Sequence, residues 1–339
     1  MSPKHVPAKP PRWQIATAFA AIYLIWGSTY LAIRFAVETF PPFLMAGMRF
    51  LVAGAILYPW SRLRGASQPV RSHWLAAAVV GGLLLLGGNG GGVWAAQRVP
   101  SGLTALLIGT VPLWMALLDG LRPGGVKPNN GVMVGLLLGL FGIVLLVGPG
   151  RLAGARQVDL VGAAVLILAS LSWATGSLYS RRAQLPASPL LATAMEMLAG
   201  GALLLIASLL VGEWTRFDSS ALSLRSWLAL GYLIIFGALV GFTAYIWLLR
   251  VSTPAHVSTY AYVNPVVAIF LGWAFAGEPL TARTLLAAAV IVAAVVIITT
   301  YRARGATEKE QAQDERGISV KPRAKFSSRA VPQLFEDGR

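Results

Sequence analysis

Residues 26–54, WGSTYLAIRFAVETFPPFLMAGMRFLVAG, have a counterpart 147 positions later, WATGSLYSRRAQLPASPLLATAMEMLAGG at 173–201. Trp26 falls on Trp173, Pro42 on Pro189, Gly54 on Gly201, and Arg49 on Glu196. Further along, RVPSGLTALLIGTVPL from Arg98 meets RVSTPAHVSTYAYVNPVV from Arg250 after a one-residue insertion, which sets Pro112 opposite Pro265. Chance likeness between apolar stretches does not match Trp, Pro and Gly at the same spacing. The chain reads as a duplicated unit, and duplication of this kind is characteristic of secondary transporters.

The environment of the duplicated unit follows from composition. Of 339 residues, 56% are hydrophobic and only 12% are charged, about half the charged share of a soluble domain. A membrane-crossing helix needs about 20 apolar residues. Runs of that kind lie near 14–33, 42–60, 74–96, 100–120, 130–148, 160–180, 189–211, 226–249, 255–276 and 282–301. Ten spans in two copies give five per copy. An odd number forces the second copy to enter the membrane the other way up, as an inverted repeat. The expected fold is therefore all-α and integral to the membrane, with ten helices around a central cavity. Its parts are an N-terminus at 1–13, a first repeat at 14–148, a second at 160–301 and a tail at 302–339.

Orientation is read from the loop cations. With the N-terminus in the cytoplasm, 13 basic residues fall inside and seven outside, so both termini are expected to be cytoplasmic. The cationic start (Lys4, Lys9, Arg12) resembles a leader, but the apolar run is long and lacks a small-residue cleavage site. It reads as a retained first helix. After Tyr301 come nine Lys and Arg and six Asp and Glu, with few apolar residues. Such a segment lacks surface to bury and is expected to be disordered. It is either simply solvated or in contact with anionic headgroups.

Inside the spans two charges matter. A lone charge at mid-bilayer costs roughly 2.5–3.5 kcal/mol on insertion scales, so such residues face the bundle interior and find partners. Arg49 and Glu196 stand at equivalent places in the two copies. They are either a structural ion pair or working groups: a carboxyl that takes and releases a proton, and a guanidinium that binds a carboxylate or phosphate in two-pronged fashion. Asp119 lies close to a span end and is expected at the interface.

Proline inside a helix removes a hydrogen bond and kinks it, and matched interruptions in two halves point to a transporter's binding site. Pro112 and Pro265 are such a pair, with Thr110, Tyr260, Tyr262 and Asn264 beside them. LLGGNGGGVWAAQ at 85–97 lacks the GK[ST] of a phosphate loop. Its glycines around Asn89 allow close helix approach or form a gate. Trp13, Trp60, Trp74 and Trp227 sit near span ends, as interfacial aromatics do. Trp26, Tyr30, Trp94, Trp173, Tyr179, Tyr245 and Trp247 lie deeper and are candidates to line the cavity.

Several classes drop out. Cysteine is absent, and His5, His73 and His256 are scattered, so no metal site or cofactor is expected. No Ser/His/Asp grouping or carboxylate pair suits hydrolysis, and the charge of +15 is not interleaved with aromatics as nucleic-acid binding requires. A membrane-embedded enzyme on lipid-linked substrates, or a passive channel, are the alternatives to a carrier.

The stretches IWGSTYLAIRFAVETFPPFLMAGMRFLVAG, VPSGLTALLIGTVPLW, SLSWATGSLYSRRAQLP, EMLAGG and STYAYVNPVVAIFLGWAFAGEPLT together resemble the EamA-type branch of the drug/metabolite transporter superfamily, and most closely its YedA-like inner-membrane exporters. The resemblance covers about residues 14–301. It implies two inverted repeats around a cavity, exporting small organic metabolites or drugs. The residues add the expectation of alternating access on amino-acid-like or amphiphilic solutes, and proton coupling is a hypothesis that rests on Glu196 alone. Small solutes and membrane lipid are the partners it implies. The Gly277-Glu278-Pro279-Leu280-Thr281 stretch of the second half has no match at Asp119-Gly120-Leu121-Arg122 of the first.

Overall fold

A computed structural model describes residues 11–121, 129–147, 159–251 and 260–315. Among them every regular element is helical. The first half holds α1 (Arg12–Ala36), α2 (Pro42–Leu63), and a third rod built from α3 (Arg71–Gly81), the π-helical π1 (Gly82–Gly90) and α4 (Gly91–Ala95). Then come α5 (Ser101–Ile108), α6 (Val111–Leu121) and α7 (Asn130–Val147). The second half repeats the order: α8 (Leu160–Ser180), α9 (Pro189–Leu210), a rod of α10 (Leu224–Tyr232), π2 (Leu233–Val240) and α11 (Gly241–Val251), then α12 (Tyr260–Ala276) and α13 (Ala282–Glu315).

Local chemistry sets the ends of these rods. Pro42 and Pro189 open α2 and α9 at the position where a missing N–H costs nothing. Asp159 accepts the Gly162 N–H at 2.7 Å to cap α8. Gly65 and Gly212 follow α2 and α9 at φ +85° and +72°, a left-handed conformation that favours glycine. These two glycines are themselves 147 positions apart.

Among the described residues, seven helices are long and apolar enough to cross a bilayer, and three shorter apolar ones lie at Asn130–Gly139, Val263–Ala276 and Ala282–Ile298. Large apolar side chains face outward along them: Leu137 is 63% exposed, Leu168 63% and Phe270 58%. A continuous apolar exterior is what lipid demands and water penalises. Some expected boundaries shift. Arg34, read as a loop cation, stands in the last turn of α1, and its guanidinium donates to the Ala96 carbonyl at 2.8 Å. The last helix, expected to end at 301, runs on to Glu315, because ATEKEQAQDE is rich in strong helix formers. Asp119 stands in the last turn of α6, close to the helix end, and is buried among neighbouring side chains at 5% exposure. Lys4, Lys9, Arg151, Arg156, His5, His256 and the tail beyond 315 lie outside the described residues.

The principal packing pairs map onto themselves when the halves are exchanged. α2 lies on α9, α7 on α13 and α5 on α12; α1 packs on α12 as α8 packs on α5 and α6; α1 meets π2 as α8 meets π1. The crossing of α2 and α9 shows this at single residues. A Cβ on Gly47 would stand 3.2 Å from the Gly201 carbonyl, and one on Gly54 would stand 3.1 Å from the Ala194 carbonyl. Shifting each residue by 147 positions converts the first contact into the second. Small residues here let the backbones approach, as membrane helices require in the absence of a hydrophobic drive between them. π1 and π2 likewise fall at equivalent places, 151 positions apart.

Candidate functional site

A cavity of about 140 Å³ opens between the halves. The first half supplies Trp26, Thr29 and Tyr30 from α1, Arg49 from α2, Asn89 from π1 and Thr104 from α5. Trp173 from α8, Phe242 from α11 and Tyr260, Asn264 and Pro265 from α12 close the other side. Both π-helical rods border this space. Wider winding of this kind re-aims side chains and recurs at functional sites.

Arg49 sits seven residues into α2, about 10 Å from its start at 1.5 Å per residue. It is 5% exposed, its guanidinium carbon lies 4.8 Å from the centre of the neighbouring Phe50 ring, and its Nε has no hydrogen-bond partner. Space for it comes from π2: a Cβ on Gly237 would press on the Arg49 Nη2 at 3.0 Å and on Thr29 at 3.1 Å. The carbonyl of the same Gly237 accepts the Trp26 indole N–H at 3.2 Å. Guanidinium and indole therefore flank one backbone residue of the opposite half.

Trp26 anchors an aromatic wall. Its ring centre lies 5.4 Å from Phe242, 5.1 Å from Tyr245 and 5.1 Å from Tyr260, the last edge-to-face at 87°. Such arrangements are favoured by the ring quadrupoles and hold the rings in place. A Cβ on Gly241 would strike the Trp26 nitrogen, so glycine there is what admits the indole. The Asn264 amide nitrogen donates to the Tyr260 and Tyr23 carbonyls at 3.2 and 3.3 Å, which ties α12 to α1 just before Pro265.

Of the candidates named from sequence, Trp26, Tyr30, Asn89, Trp173, Tyr260 and Asn264 line the cavity, with Arg49 and Pro265. Tyr245 stands behind Trp26 and Tyr260 as a supporting layer. Trp94 turns away and lies under the Arg98 guanidinium at 4.3 Å. Tyr179 is 42% exposed on the outside of α8. Thr110 is fully buried, its hydroxyl bonded to the Leu107 carbonyl at 2.5 Å. The side chain of Tyr262 lies outside the described residues. Pro112 is the second residue of α6, so the interruption of this rod falls at Gly109 and Thr110 instead; Pro265 stands inside α12. Glu196 is not among the lining residues, and among the described residues no ion pair joins it to Arg49. Its backbone carbonyl would be met by a Cβ on Gly81 at 2.7 Å, which fixes α9 against α3. Sequence reading missed Thr29, Thr104 and Phe242, small or apolar residues with no signal of their own.

It also missed two carboxylates that join the halves. Glu213, after α9, accepts the N–H groups of Phe43 at 3.1 Å and Leu44 at 2.8 Å, and the Ser208 hydroxyl at 2.8 Å. Glu278, after α12, accepts from the Ser101 and Gly102 N–H groups at 2.6 and 3.1 Å. Each places a negative charge on the unsatisfied donors of a helix start in the other half. At the same end of the bundle Arg98 meets Asp159 at 3.8 Å, Arg225 meets Glu38 at 3.5 Å, and the Ser223 N–H donates to Thr39 at 3.3 Å. At the opposite end the Asn129 amide donates to the Tyr301 carbonyl at 3.5 Å.

Comparison with known proteins fits this architecture. The model of the EamA-like transporter family matches residues 13–148 and again 160–300. The uncharacterized inner membrane transporter YedA of Escherichia coli (strain K12) is 44% identical over 273 residues, 80% of this chain and 85% of its own. The uncharacterized transporter YoaV of Bacillus subtilis (strain 168) is 24% identical, over 80% of this chain and 92% of its own. One crystal structure superposes with a TM-score of 0.59 at 23% identity, over 87% of this chain and 99% of its own, which shows a shared fold.

Proposed function

The chain belongs to the EamA-like transporter family, and on that premise we propose that it exports small organic solutes across the inner membrane by alternating access. Membership makes it a transporter rather than an enzyme. In this reading the ten helical rods each cross the bilayer, five per half, so the halves insert in opposite senses. Both termini are then cytoplasmic, in line with the bias of basic loop residues.

The observation that carries the proposal is the cavity, walled by rods of both halves, with a set of helix caps and ion pairs joining the halves at one end of the bundle. Rocking the halves apart at that end, while the other closes, would expose the same side chains to the other face. Proton coupling through Glu196 has less support: the cavity wall holds no acidic side chain among the described residues. The substrates follow the wall, with an apolar or aromatic body against Trp26 and Tyr260 and a polar group toward Arg49.

Proteoliposomes holding the purified protein provide the test. Accumulation of an amphiphilic solute above its outside concentration is expected when an ion gradient is imposed. Mere equilibration would make the protein a channel, and no flux of any small solute would remove the transporter reading.

A further inference from the structure

We propose that the cavity prefers solutes with one net negative charge, a carboxylate on a small aromatic or apolar body. The carboxylate sits on Arg49, and the body lies along the wall of Trp26 and Tyr260. This rests on the cavity being the transport site and names what that site takes.

Three observations converge. Among the described residues lining the cavity, Arg49 is the one charged side chain. A guanidinium offers five donors and keeps its proton, and here its buried Nε is unpartnered, while among the described residues no ion pair holds the group. Two carboxylates that bridge the halves, Glu213 and Glu278, are held on helix starts. A buried cation without a partner is costly, so an entering anion supplies what the fold leaves out. Finally, Arg49 and Trp26 flank the same residue, Gly237, which places a planar apolar surface beside the charge.

The charge balance then sets the ranking. A carboxylate fits Arg49 through paired, charge-assisted hydrogen bonds. A zwitterion brings an ammonium for which the wall has no carboxylate. A cation brings only repulsion.

Three probes share one phenethyl body and differ in charge: 3-phenylpropionate, phenylalanine and phenethylamine. Binding to the full chain in nanodiscs can be read by quenching of tryptophan emission, since Trp26 and Trp173 line the cavity. The expected order is phenylpropionate tighter than phenylalanine by about tenfold, and phenethylamine weaker again by about tenfold. Arg49→Gln should compress the three to within about threefold. Arg49→Lys, which keeps the charge but loses the fork, should keep the order at lower affinity. Should Arg49→Gln fail to fold, the ranking on the unaltered protein decides alone. Phenethylamine binding as tightly as phenylpropionate overturns the proposal, as does no binding of any probe at millimolar concentration. Chloride or inorganic phosphate displacing phenylpropionate at equal concentration overturns it too, since the cation would then hold only a counter-ion. Liposomes that concentrate phenethylamine but not phenylpropionate would keep the transporter reading and end this one. The expected binding order with no small solute ever moved would keep the binding preference and end the transporter reading.

Discussion

Arg49 and Glu196 occupy the same position in two copies of one unit, yet they stand in different surroundings. Arg49 enters the cavity because π2 of the opposite half presents Gly237 to it. Glu196 stays off the cavity wall, and its backbone serves to seat α9 on Gly81 of α3. The packing of the halves is close to exchangeable, whereas the chemistry of the cavity is not. Duplication accounts for the scaffold, and divergence at a few positions accounts for the site. The caps show the same split. Glu213 and Glu278, both from the second half, satisfy helix starts in the first, while α9 of the second half is capped locally by Ser188.

The scaffold side of this comparison should break most severely. Gly201→Leu forces a side chain onto the Leu51 N–H, 3.0 Å from where a Cβ would stand. A loss of about 3 kcal/mol or more is expected, seen as aggregation or loss of a monodisperse peak in detergent. A folded, fully active variant would mean that the crossing of α2 and α9 is not tight.

The site side should separate activity from stability. Arg49→Gln is expected to lower uptake of an anionic solute by about a hundredfold, as loss of charge-assisted bonds would, with the melting temperature little changed. Glu196→Gln should leave transport within about threefold and its pH profile unaltered, since neutralising a group off the cavity wall removes no substrate contact. A flat pH profile in Glu196→Gln would restore that carboxyl to the coupling step and reverse the comparison.

Much of this was legible from the residues, and the failures share a cause. The repeat was visible through Trp26 and Trp173, Pro42 and Pro189. Arg49 stood out because a cation in an apolar run has few places to go. Trp94 and Tyr179 were misplaced because these helices are apolar around most of their circumference, so no moment fixes which face is inward. The windings π1 and π2 have no sequence signature beyond glycine and leucine. The roles of Glu213 and Glu278 carry no sequence signal, since their partners are backbone groups far along the chain. The helical continuation to Glu315 was hidden by its charge, although its residues favour helix.

The end joined by Glu213 and Glu278 offers smaller, graded effects. Glu213→Ala leaves three donors without their acceptor and should cost about 2 kcal/mol, read as a lowered melting temperature. Arg225→Gln removes an exposed pair with Glu38 and should cost less than about 1 kcal/mol. A larger loss for Arg225→Gln than for Glu213→Ala would show that surface ion pairs, not buried caps, hold the halves together.

The chain contains no cysteine, so a single engineered pair can report on motion without background. Thr39→Cys with Ser223→Cys spans the two halves at the end where Glu213 and Glu278 cap helix starts. Joining the pair with a short bifunctional thiosulfonate should stop transport in proteoliposomes, and reduction should restore it. Undiminished transport with the cross-link intact would contradict alternating access by separation of the halves at this end.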